Sequence, residues 1–247
     1  MQESIKEFIE IFQKVRDAGY IRTHRYGNTG IGKTFEDACE IVENNLDEPD
    51  FKGIEIKSRR EFAQAYITLF TKAPTFPKGV NSILRETYGS FDVEHPTMKV
   101  LHTSVFSDKF NSHKTGFGYK IEADDVNERI VLLIKNLTTG EMEETTVYWD
   151  YEVIDTSITK KLNVLALVEA KTRIIDGFEE FHFTECTILT GFDLTRFISL
   201  VKSGLIMFDV RIGVYKTGLS LGKTHDHGSG FRISRANLTK AFDVLEV

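Results

Sequence analysis

Hydrophobic residues recur every three or four positions in four stretches of this chain, which is the spacing of one buried face of an α-helix. The first stretch, residues 4–18, is followed by Gly19, a residue type that commonly ends helices. The same spacing predicts three further helices: residues 35–46, 194–203 and 237–245. Thr34, with Asp37 shortly after it, is typical of the capping box at a helix start.

Alternating apolar and polar residues, or short runs rich in strand-forming residues, predict β-strands elsewhere. These strands are residues 51–57, 64–72, 99–107, 118–122, 129–136, 144–153, 162–170, 205–215 and 231–234. Because residues 64–72 follow residues 51–57 after a short interval, we expect the two strands to pair as a hairpin.

Residues 51–57 combine charged and apolar side chains in a way that is unusual for a buried strand. Successive side chains of an extended chain alternate faces, so Glu55 and Lys57 share one face. Ile54 and Ile56 then point together into a core on the other face. Burying an acid beside a base is costly unless the two pair or hold a metal ion. A solvated strand with an ordinary ion pair is the simpler alternative.

Asp50 adds a second carboxylate to this group. Strict alternation places Asp50 on the face opposite Glu55, so the two acids can converge only through a bend, which Gly53 would permit. Two converging carboxylates supply the hard oxygen ligands that Mg²⁺ prefers. We therefore predict a Mg²⁺ site at Asp50 and Glu55, with Lys57 alongside.

A second Glu-x-Lys sequence occurs at Glu169 and Lys171, with Asp155 upstream as a possible partner. We favour the first site because a helix that bears Glu36 directly precedes it and a short hairpin is expected to follow it. We interpret the second sequence as a strand end with a structural ion pair.

Residues 27–34 match the phosphate-binding loop of P-loop NTPases, which requires a buried strand before it and a helix after it. A helix is predicted after the motif, but residues 20–26 carry three basic residues and would make a poor central strand. We favour a polar loop before a capped helix, and an NTPase is the alternative function.

The chain has 247 residues, of which 41% are hydrophobic, so it is long enough to bury one large core or two smaller ones. No apolar run reaches the length of a membrane span, and the N-terminal segment is amphipathic and acidic, unlike a signal peptide. Cys39 and Cys186 provide neither a disulfide framework nor a zinc cluster. We therefore expect a cytoplasmic protein.

Charge is distributed unevenly along the chain, although the net charge is −6. Residues 199–240 contain seven lysines and arginines but only Asp209 and Asp226 as acids, whereas residues 35–55 contain eight acids and only Lys52. A basic region together with an acidic, metal-binding region favours an enzyme that acts on phosphates.

Five segments together resemble a known family. They are residues 32–36, 49–50, 53–57, 68–74 and 230–242, whose sequences are GKTFE, PD, GIEIK, TLFTKAP and GFRISRANLTKAF. The spacing Asp-x4-Glu-x-Lys resembles the signature of the PD-(D/E)XK nucleases. The whole order is similar to the MvaI/BcnI restriction endonucleases, in the MutH-like branch of those nucleases.

The resemblance implies an α/β (α+β) protein in which helices flank a mixed PD-(D/E)XK sheet and two lobes enclose a DNA cleft. We expect residues 1–100 to form the catalytic lobe and residues 101–247 to include the DNA-recognition lobe. Such enzymes act as monomers that cut the two strands of DNA in turn at a short pseudopalindrome, here CC-(A or T)-GG or a near relative. A companion DNA methyltransferase is also implied.

The corresponding mechanism assigns a role to each residue of the first site. Asp50 and Glu55, helped by the carbonyl of Ile56, would bind Mg²⁺, and Lys57 would orient the attacking water. Glu36 would be an auxiliary ligand or a nearby supporting acid. The expected products carry 5′-phosphate and 3′-hydroxyl ends.

Reading G·C base pairs requires donors for guanine and acceptors for cytosine. The C-terminal region supplies such groups, and we predict that seven of its residues contact DNA: Asp209, Arg211, Lys223, His225, Asp226, His227 and Arg232. Lys240 is a candidate for a phosphate contact. The alternatives are that the arginines only pair with neighbouring acids, and that the chain is a DNA-binding module without catalysis.

Overall fold

The computed structural model describes residues 2–27, 29–41, 48–63, 66–144 and 146–245. Its helices are α1 Gln2–Asp17, α2 Gly30–Ala38, α3 Val80–Tyr88, α4 Tyr151–Lys161, α5 Leu194–Lys202 and α6 Leu238–Ala241. Its strands are β1 Ile21–Arg22, β2 Glu55–Arg60, β3 Ile67–Thr71, β4 Ser90–Phe91, β5 Lys99–Val105, β6 Phe117–Asp124, β7 Arg129–Asn136, β8 Val147–Asp150, β9 Val164–Ile175, β10 Phe178–Thr190, β11 Ile206–Val214, β12 Thr224–Asp226, β13 Gly230–Ile233 and β14 Asp243–Leu245. Within these described ranges, no helix has the length and apolar character needed to cross a membrane.

The chain divides into two compact units, each assembled from segments that are remote in sequence. The first unit contains Met1–Ala65, Ser157–Asp193 and Thr239–Val247, and the second contains Tyr66–Thr156 and Leu194–Leu238. A single boundary at residue 100 does not describe this division, because the chain leaves the first unit and returns to it more than once. The assignment of catalysis and recognition to separate lobes stays a prediction.

The first unit is organised around a mixed sheet with the strand order β1, β10, β9, β2, to which β14 adds beside β10. Strands β9 and β10 form a long antiparallel hairpin, whereas β2 runs parallel to β9 with Glu55 opposite Leu165. Parallel neighbours require a long connection. The catalytic-site candidate on β2 therefore depends on a partner strand that lies far along the chain.

Helices α1 and α2 contribute to the hydrophobic core that this sheet buries. Phe8 of α1, Phe35 of α2 and Phe183 of β10 are fully buried, and the ring centroids of Phe35 and Phe183 lie 4.9 Å apart. Burial of each such ring stabilises the fold by about 2–3 kcal/mol. Ile54 and Ile56 belong to the same core, as the alternation of residues 51–57 predicted.

The second unit contains two antiparallel sheets. The larger has the order β3, β13, β11, β5, β4, with β12 beside β11, and the smaller has the order β6, β7, β8. Trp149 of β8 is fully buried, with its ring centroid 4.4 Å from that of Phe208 and 5.4 Å from that of Phe231. Its indole nitrogen donates a hydrogen bond of 3.0 Å to the carbonyl of Lys72, so the only polar atom of this side chain is satisfied.

The hairpin expected between residues 51–57 and 64–72 is wrong. Strand β3 pairs with β13 in the second unit, and β2 pairs with β9 in the first. Alternation specifies which side chains of a strand are buried, but it does not specify the neighbouring strand.

Three predicted element boundaries also differ from the structure. Helix α2 begins at Gly30 rather than at residue 35, so Thr34 lies inside the helix, and residues 42–47 lie outside the described residues. The strand predicted for residues 144–153 is β8 followed directly by α4. The closing helix predicted for residues 237–245 is the short α6 followed by β14, which pairs with β10.

Candidate functional site

A tight turn precedes β2 and sets the position of Asp50. The amide of Phe51 donates to the carbonyl of Ile54 at 3.0 Å, and the amide of Ile54 donates back at 2.7 Å. Lys52 and Gly53, between them, have φ angles of +42° and +87°. Two successive positive φ angles are characteristic of a type I′ turn, in which glycine is favoured. The bend that the sequence required at Gly53 is therefore present.

This turn brings Asp50 back to the start of β2. The Oδ2 atom of Asp50 accepts a hydrogen bond of 2.8 Å from the amide of Ile56. Glu55 is buried, with 5% of its surface exposed, and the ammonium group of Lys57 contacts its Oε1 atom. Asp50 thus bonds to the main chain of the residue that lies between Glu55 and Lys57, and the convergence of the two carboxylates on one cation stays a prediction. Their catalytic roles stay predictions.

The donor set at this point suits a divalent cation. Carboxylate and carbonyl oxygens are hard ligands of the kind that Mg²⁺ prefers, and a cation offsets the cost of holding a buried carboxylate close to a second acid. No cluster of three His, Cys, Asp or Glu side chains with metal-binding geometry occurs in the described ranges. A set of two carboxylates completed by a main-chain oxygen is compatible with that finding.

Glu36 is half-buried on α2, a helix that packs against β2. Burial, together with the charges of Cys186 and Glu36, raises the pKa of Cys39 to about 12, so the Glu36 carboxylate acts on that thiol. Burial likewise raises the pKa of Cys186 to about 12. Both thiols are therefore protonated near pH 7 and are poor nucleophiles. The auxiliary role of Glu36 in metal binding stays a prediction.

The second Glu-x-Lys sequence lies on β9, beside the first. Glu169 is buried opposite Arg59 of β2, with 3.7 Å between its Oε1 atom and the Arg59 Nε atom. Lys171 is exposed, and Asp155 is exposed on α4. This arrangement favours the structural ion pair that we predicted for Glu169. The predicted strand end is wrong, because β9 continues beyond Glu169 to Ile175.

The phosphate-loop motif at residues 27–34 has a different structure from the one that a P-loop requires. The strand before it, β1, has two residues and pairs only with β10 at the edge of the sheet. Thr34 is buried and donates a hydrogen bond of 2.7 Å to the carbonyl of Gly30, and its hydroxyl lies 2.9 Å from that of Thr23. The Nζ atom of Lys33 lies 2.9 Å from Asp37. Residues 30–34 of the motif thus form the start of α2.

A second polar group lies in the second unit, around Asp209 of β11. Asp209 is buried, and its Oδ2 atom lies 2.7 Å from the Nε atom of Arg211 and 3.1 Å from that of Arg232. Its Oδ1 atom accepts a hydrogen bond of 3.0 Å from the hydroxyl of Ser104. Burial lowers the pKa of Arg232, and the charge of Asp209 opposes that effect. Asp209 and Arg211 thus contact each other on one face of the strand.

A cavity of about 590 Å³ opens on this face, and we call it the Asp209 pocket. It is lined by His102, Thr103, Ser104, Asp209, Val210, Arg211 and His227. Arg211 retains an exposed side chain, whereas Arg232 is buried and its Nη2 atom donates to the carbonyl of Gly228 at 3.2 Å. The pocket therefore presents both acceptor and donor groups, which is the combination that a base edge requires.

The loop residues predicted to contact DNA lie at and beside this pocket. The ring of His225 stacks on Tyr215, with 4.2 Å between ring centroids, and His227 lies over Gly213. Asp226 accepts hydrogen bonds from Gly228, Ser229 and Asn81, at 2.9, 2.6 and 2.8 Å. These bonds favour a role for Asp226 in fixing the loop, and its contact with DNA stays a prediction. Lys223 and Lys240 are exposed.

The family to which this chain belongs follows from comparison with known proteins. The family model of the MvaI/BcnI restriction endonucleases matches residues 9–242. The chain belongs to the MvaI/BcnI restriction endonuclease family. It is therefore a type II site-specific deoxyribonuclease, and the predicted family is confirmed.

Two solved structures are similar over almost the whole length of this restriction endonuclease. One is restriction endonuclease MvaI in complex with its cognate DNA, which is 35% identical and has a TM-score of 0.91. The other is MvaI in the absence of DNA, which is 34% identical and has a TM-score of 0.65. Each match covers 99% of this chain and 98% of the other. The predicted PD-(D/E)XK-type fold is confirmed, whereas the comparison with curated proteins gave no match.

Sequence reasoning missed the polar residues that β5 contributes to the Asp209 pocket, which are His102, Thr103 and Ser104. His102 lies opposite Arg211, and Ser104 lies opposite Asp209, in the antiparallel pairing of β5 with β11. Residues 99–107 were predicted as a strand, and His102, Thr103 and Ser104 are its three consecutive polar residues, which was the available signal. That signal could not be used because the strand pairing that places β5 beside β11 joins segments remote in sequence.

Proposed function

We propose that this restriction endonuclease cuts both strands of DNA with Mg²⁺ as cofactor, at a short pseudopalindrome of the CC-(A or T)-GG kind. The observation that carries the proposal is the hydrogen bond from the amide of Ile56 to Asp50, because Ile56 lies between Glu55 and Lys57 in β2. Family membership and the similarity to a structure of MvaI with its cognate DNA support the same reaction on double-stranded DNA.

Asp50, Glu55 and the carbonyl of Ile56 are the groups that would hold the cation. When bound, a divalent cation stabilises negative charge on the scissile phosphate and makes water more acidic. The paired main-chain hydrogen bonds of the turn at residues 51–54 support this assignment, because they fix the main chain next to Asp50. Glu36, on the adjacent helix, would support this group as an auxiliary or neighbouring acid.

Lys57 supplies the remaining positive charge at the site. Its ammonium group has three donors, one of which contacts Glu55, and others can hold a water molecule in line with the phosphate. That water attacks phosphorus, and the bond to the 3′-oxygen breaks, which leaves a 5′-phosphate and a 3′-hydroxyl end. The positive charge of Lys57 favours the deprotonated form of the attacking water.

The Asp209 pocket and the adjacent loop supply groups for reading bases. Arg211 and Arg232 are donors for guanine, Asp209 is an acceptor for cytosine, and His225 and His227 can fill either role. Each bidentate contact contributes about 1–3 kcal/mol of discrimination against a wrong base. Lys223 and Lys240, which are exposed, suit phosphate contacts instead.

Comparison of Arg211→Ala and Arg232→Ala tests this assignment on cognate duplexes and on duplexes with one altered base pair. The expected result is a smaller ratio of cognate to altered cleavage rates for both variants. Lys240→Ala is the matched control, because loss of a phosphate contact weakens binding to every duplex and reduces its salt dependence. A uniform loss on all duplexes in the arginine variants would contradict base reading.

Short duplexes test the reaction itself. Wild-type protein with Mg²⁺ is expected to cut a duplex containing CC-(A or T)-GG, to spare one with a single altered pair, and to yield 5′-phosphate ends. Cleavage is expected to stop when the cation is chelated. We also expect a monomer by light scattering and sequential cutting of the two strands. Specific binding without cleavage at any Mg²⁺ concentration would instead indicate a DNA-binding module.

A further inference from the structure

Two hydrogen-bond donors, Ser104 and Arg211, and a second guanidinium group, that of Arg232, surround the buried carboxylate of Asp209. Arg211 and Arg232 both approach Oδ2, at 2.7 and 3.1 Å, whereas Ser104 donates to Oδ1 at 3.0 Å. Ser104 therefore holds one oxygen while the two arginines share the other. Ser104 differs from the two arginines because it is uncharged and was not among the predicted DNA contacts. It lies on β5, opposite Asp209 of β11.

The orientation of a carboxylate depends strongly on such a contact. Rotation of the terminal carboxyl group of aspartate has broad, shallow minima, so the side chain by itself does not fix which direction its oxygens face. A hydrogen bond to Oδ1 selects one orientation and leaves Oδ2 facing both guanidinium groups. Loss of that bond frees the carboxylate to turn and changes the positions of the arginines that it holds.

Ser104 is itself fixed by Asn111. The side-chain amide nitrogen of Asn111 donates hydrogen bonds of 2.7 Å to the carbonyl of Ser104 and to the hydroxyl of Thr103. The Oδ1 atom of Asn111 accepts a hydrogen bond of 2.9 Å from the amide of Tyr119 on β6. The side chain of Asn111 thus links the segment of β5 opposite Asp209 to β6 through three hydrogen bonds.

We propose that Ser104, held by Asn111, is a positioning residue that sets the sequence discrimination of this enzyme by orienting Asp209. This inference rests on the proposed role of the Asp209 pocket in base reading. Its chemistry is indirect: Ser104 determines the direction of the Asp209 carboxylate, and the carboxylate determines where Arg211 and Arg232 present their remaining donors. Specificity then depends on a hydroxyl group that need not touch a base.

The test measures the ratio of cleavage rates on cognate and singly altered duplexes for Ser104→Ala. The expected result is a ratio lowered on the order of tenfold, as for loss of one hydrogen bond to a charged group. Ser104→Thr retains the hydroxyl and is expected to restore the ratio. Ser107→Ala is the matched control, because its hydroxyl donates to the carbonyl of Val201 and not to Asp209, so that its loss should leave the ratio unchanged.

A double-mutant cycle with Asp209→Ala, which removes the acceptor of the Ser104 hydrogen bond, keeps the test decisive if Ser104→Ala weakens folding. The inference predicts that Ser104→Ala lowers the ratio in the wild-type background but has little further effect in the Asp209→Ala background. An unchanged ratio in Ser104→Ala, or the same fall in both backgrounds, would overturn it. If wild-type protein does not cut, or cuts without discrimination, the proposed function fails instead, and the two failures are therefore distinguishable.

Discussion

At the scale of residues, the candidate active site depends on main-chain geometry as much as on side-chain identity. Asp50 accepts its hydrogen bond from the amide of Ile56, and Lys57 contacts Glu55 from the next position on the same face. The residue types of this group and the need for a bend at Gly53 could be predicted from Asp-x4-Glu-x-Lys. The hydrogen bond to Ile56 could not, because sequence spacing does not specify which backbone amide a carboxylate will reach.

Lys57→Ala tests the chemical role of this group. The variant is expected to lose at least about 100-fold in cleavage rate, because a charge placed beside the reacting phosphate is removed from a largely buried site. Thermal unfolding of the variant is measured alongside, because the buried Glu55 carboxylate loses its ion pair with Lys57 and the melting temperature should fall. Cleavage is therefore compared at a temperature where both proteins are folded. Lys171→Ala, in the second Glu-x-Lys sequence, is the matched control. Full cleavage by Lys57→Ala together with loss in Lys171→Ala would move the active site to β9.

Histidines of the second unit provide a pH test. Burial lowers the pKa of His102, His113 and His227 below 6.5. The charge of Arg211 lowers the pKa of His102 further, and that of His225 lowers the pKa of His227 further. The unfolded chain therefore binds more protons than the folded chain as the pH falls below about 6.5. Unfolding free energy should decrease from about pH 7 to about pH 5.5. Imidazole NMR titrations giving pKa values above 6.5 would contradict this.

At the scale of elements, local patterns predicted strands better than they predicted pairings. Residues 129–136 form β7 with the predicted bounds, and residues 194–202 form α5 close to its predicted end. The partner of β2 was predicted wrongly because β9 lies far along the chain. Strand β10 was not predicted at all, since Glu179, Glu180 and Glu185 interrupt its apolar positions.

Gly53→Ala tests the turn before β2. Both Gly53 and Gly140 have positive φ angles, +87° and +80°, and an added Cβ at either would meet no atom within 4 Å. Each substitution should therefore destabilise its turn by a similar amount, about 1–2 kcal/mol. Only Gly53→Ala should also lower the cleavage rate, because only that turn positions Asp50. Equal cleavage by the two variants, measured under folding conditions, would show that the turn does not hold the active site.

Lys33→Ala tests whether residues 27–34 serve as a nucleotide-binding loop or only lead into helix α2. The lysine pairs with Asp37 one turn later, an interaction that contributes about 0.3–0.5 kcal/mol at a surface. We expect the variant to cut DNA with Mg²⁺ at close to the wild-type rate, and the wild-type protein to hydrolyse no ATP. A loss of cleavage as large as that of Lys57→Ala, or cleavage that requires ATP, would restore the NTPase interpretation.

At the scale of the whole molecule, a net charge of −6 has to be reconciled with binding to a polyanion. The basic residues concentrated between positions 199 and 240 provide a local attraction, whereas the acids around residues 35–55 suit a cation-dependent site. Family membership explains why both occur in one chain. Sequence motifs identified the family from segments within residues 32–74 and 230–242. The small sheet of β6, β7 and β8 carries no motif, so it added least to that identification.

Digestion of a plasmid of known sequence tests the central claim most directly. Wild-type protein with Mg²⁺ should produce discrete fragments that end within copies of CC-(A or T)-GG, and Asp50→Ala, at the same concentration, should leave the plasmid uncut. A smear of fragments would indicate a nuclease without sequence specificity. Intact plasmid in the presence of folded wild-type protein and Mg²⁺ would contradict the account altogether.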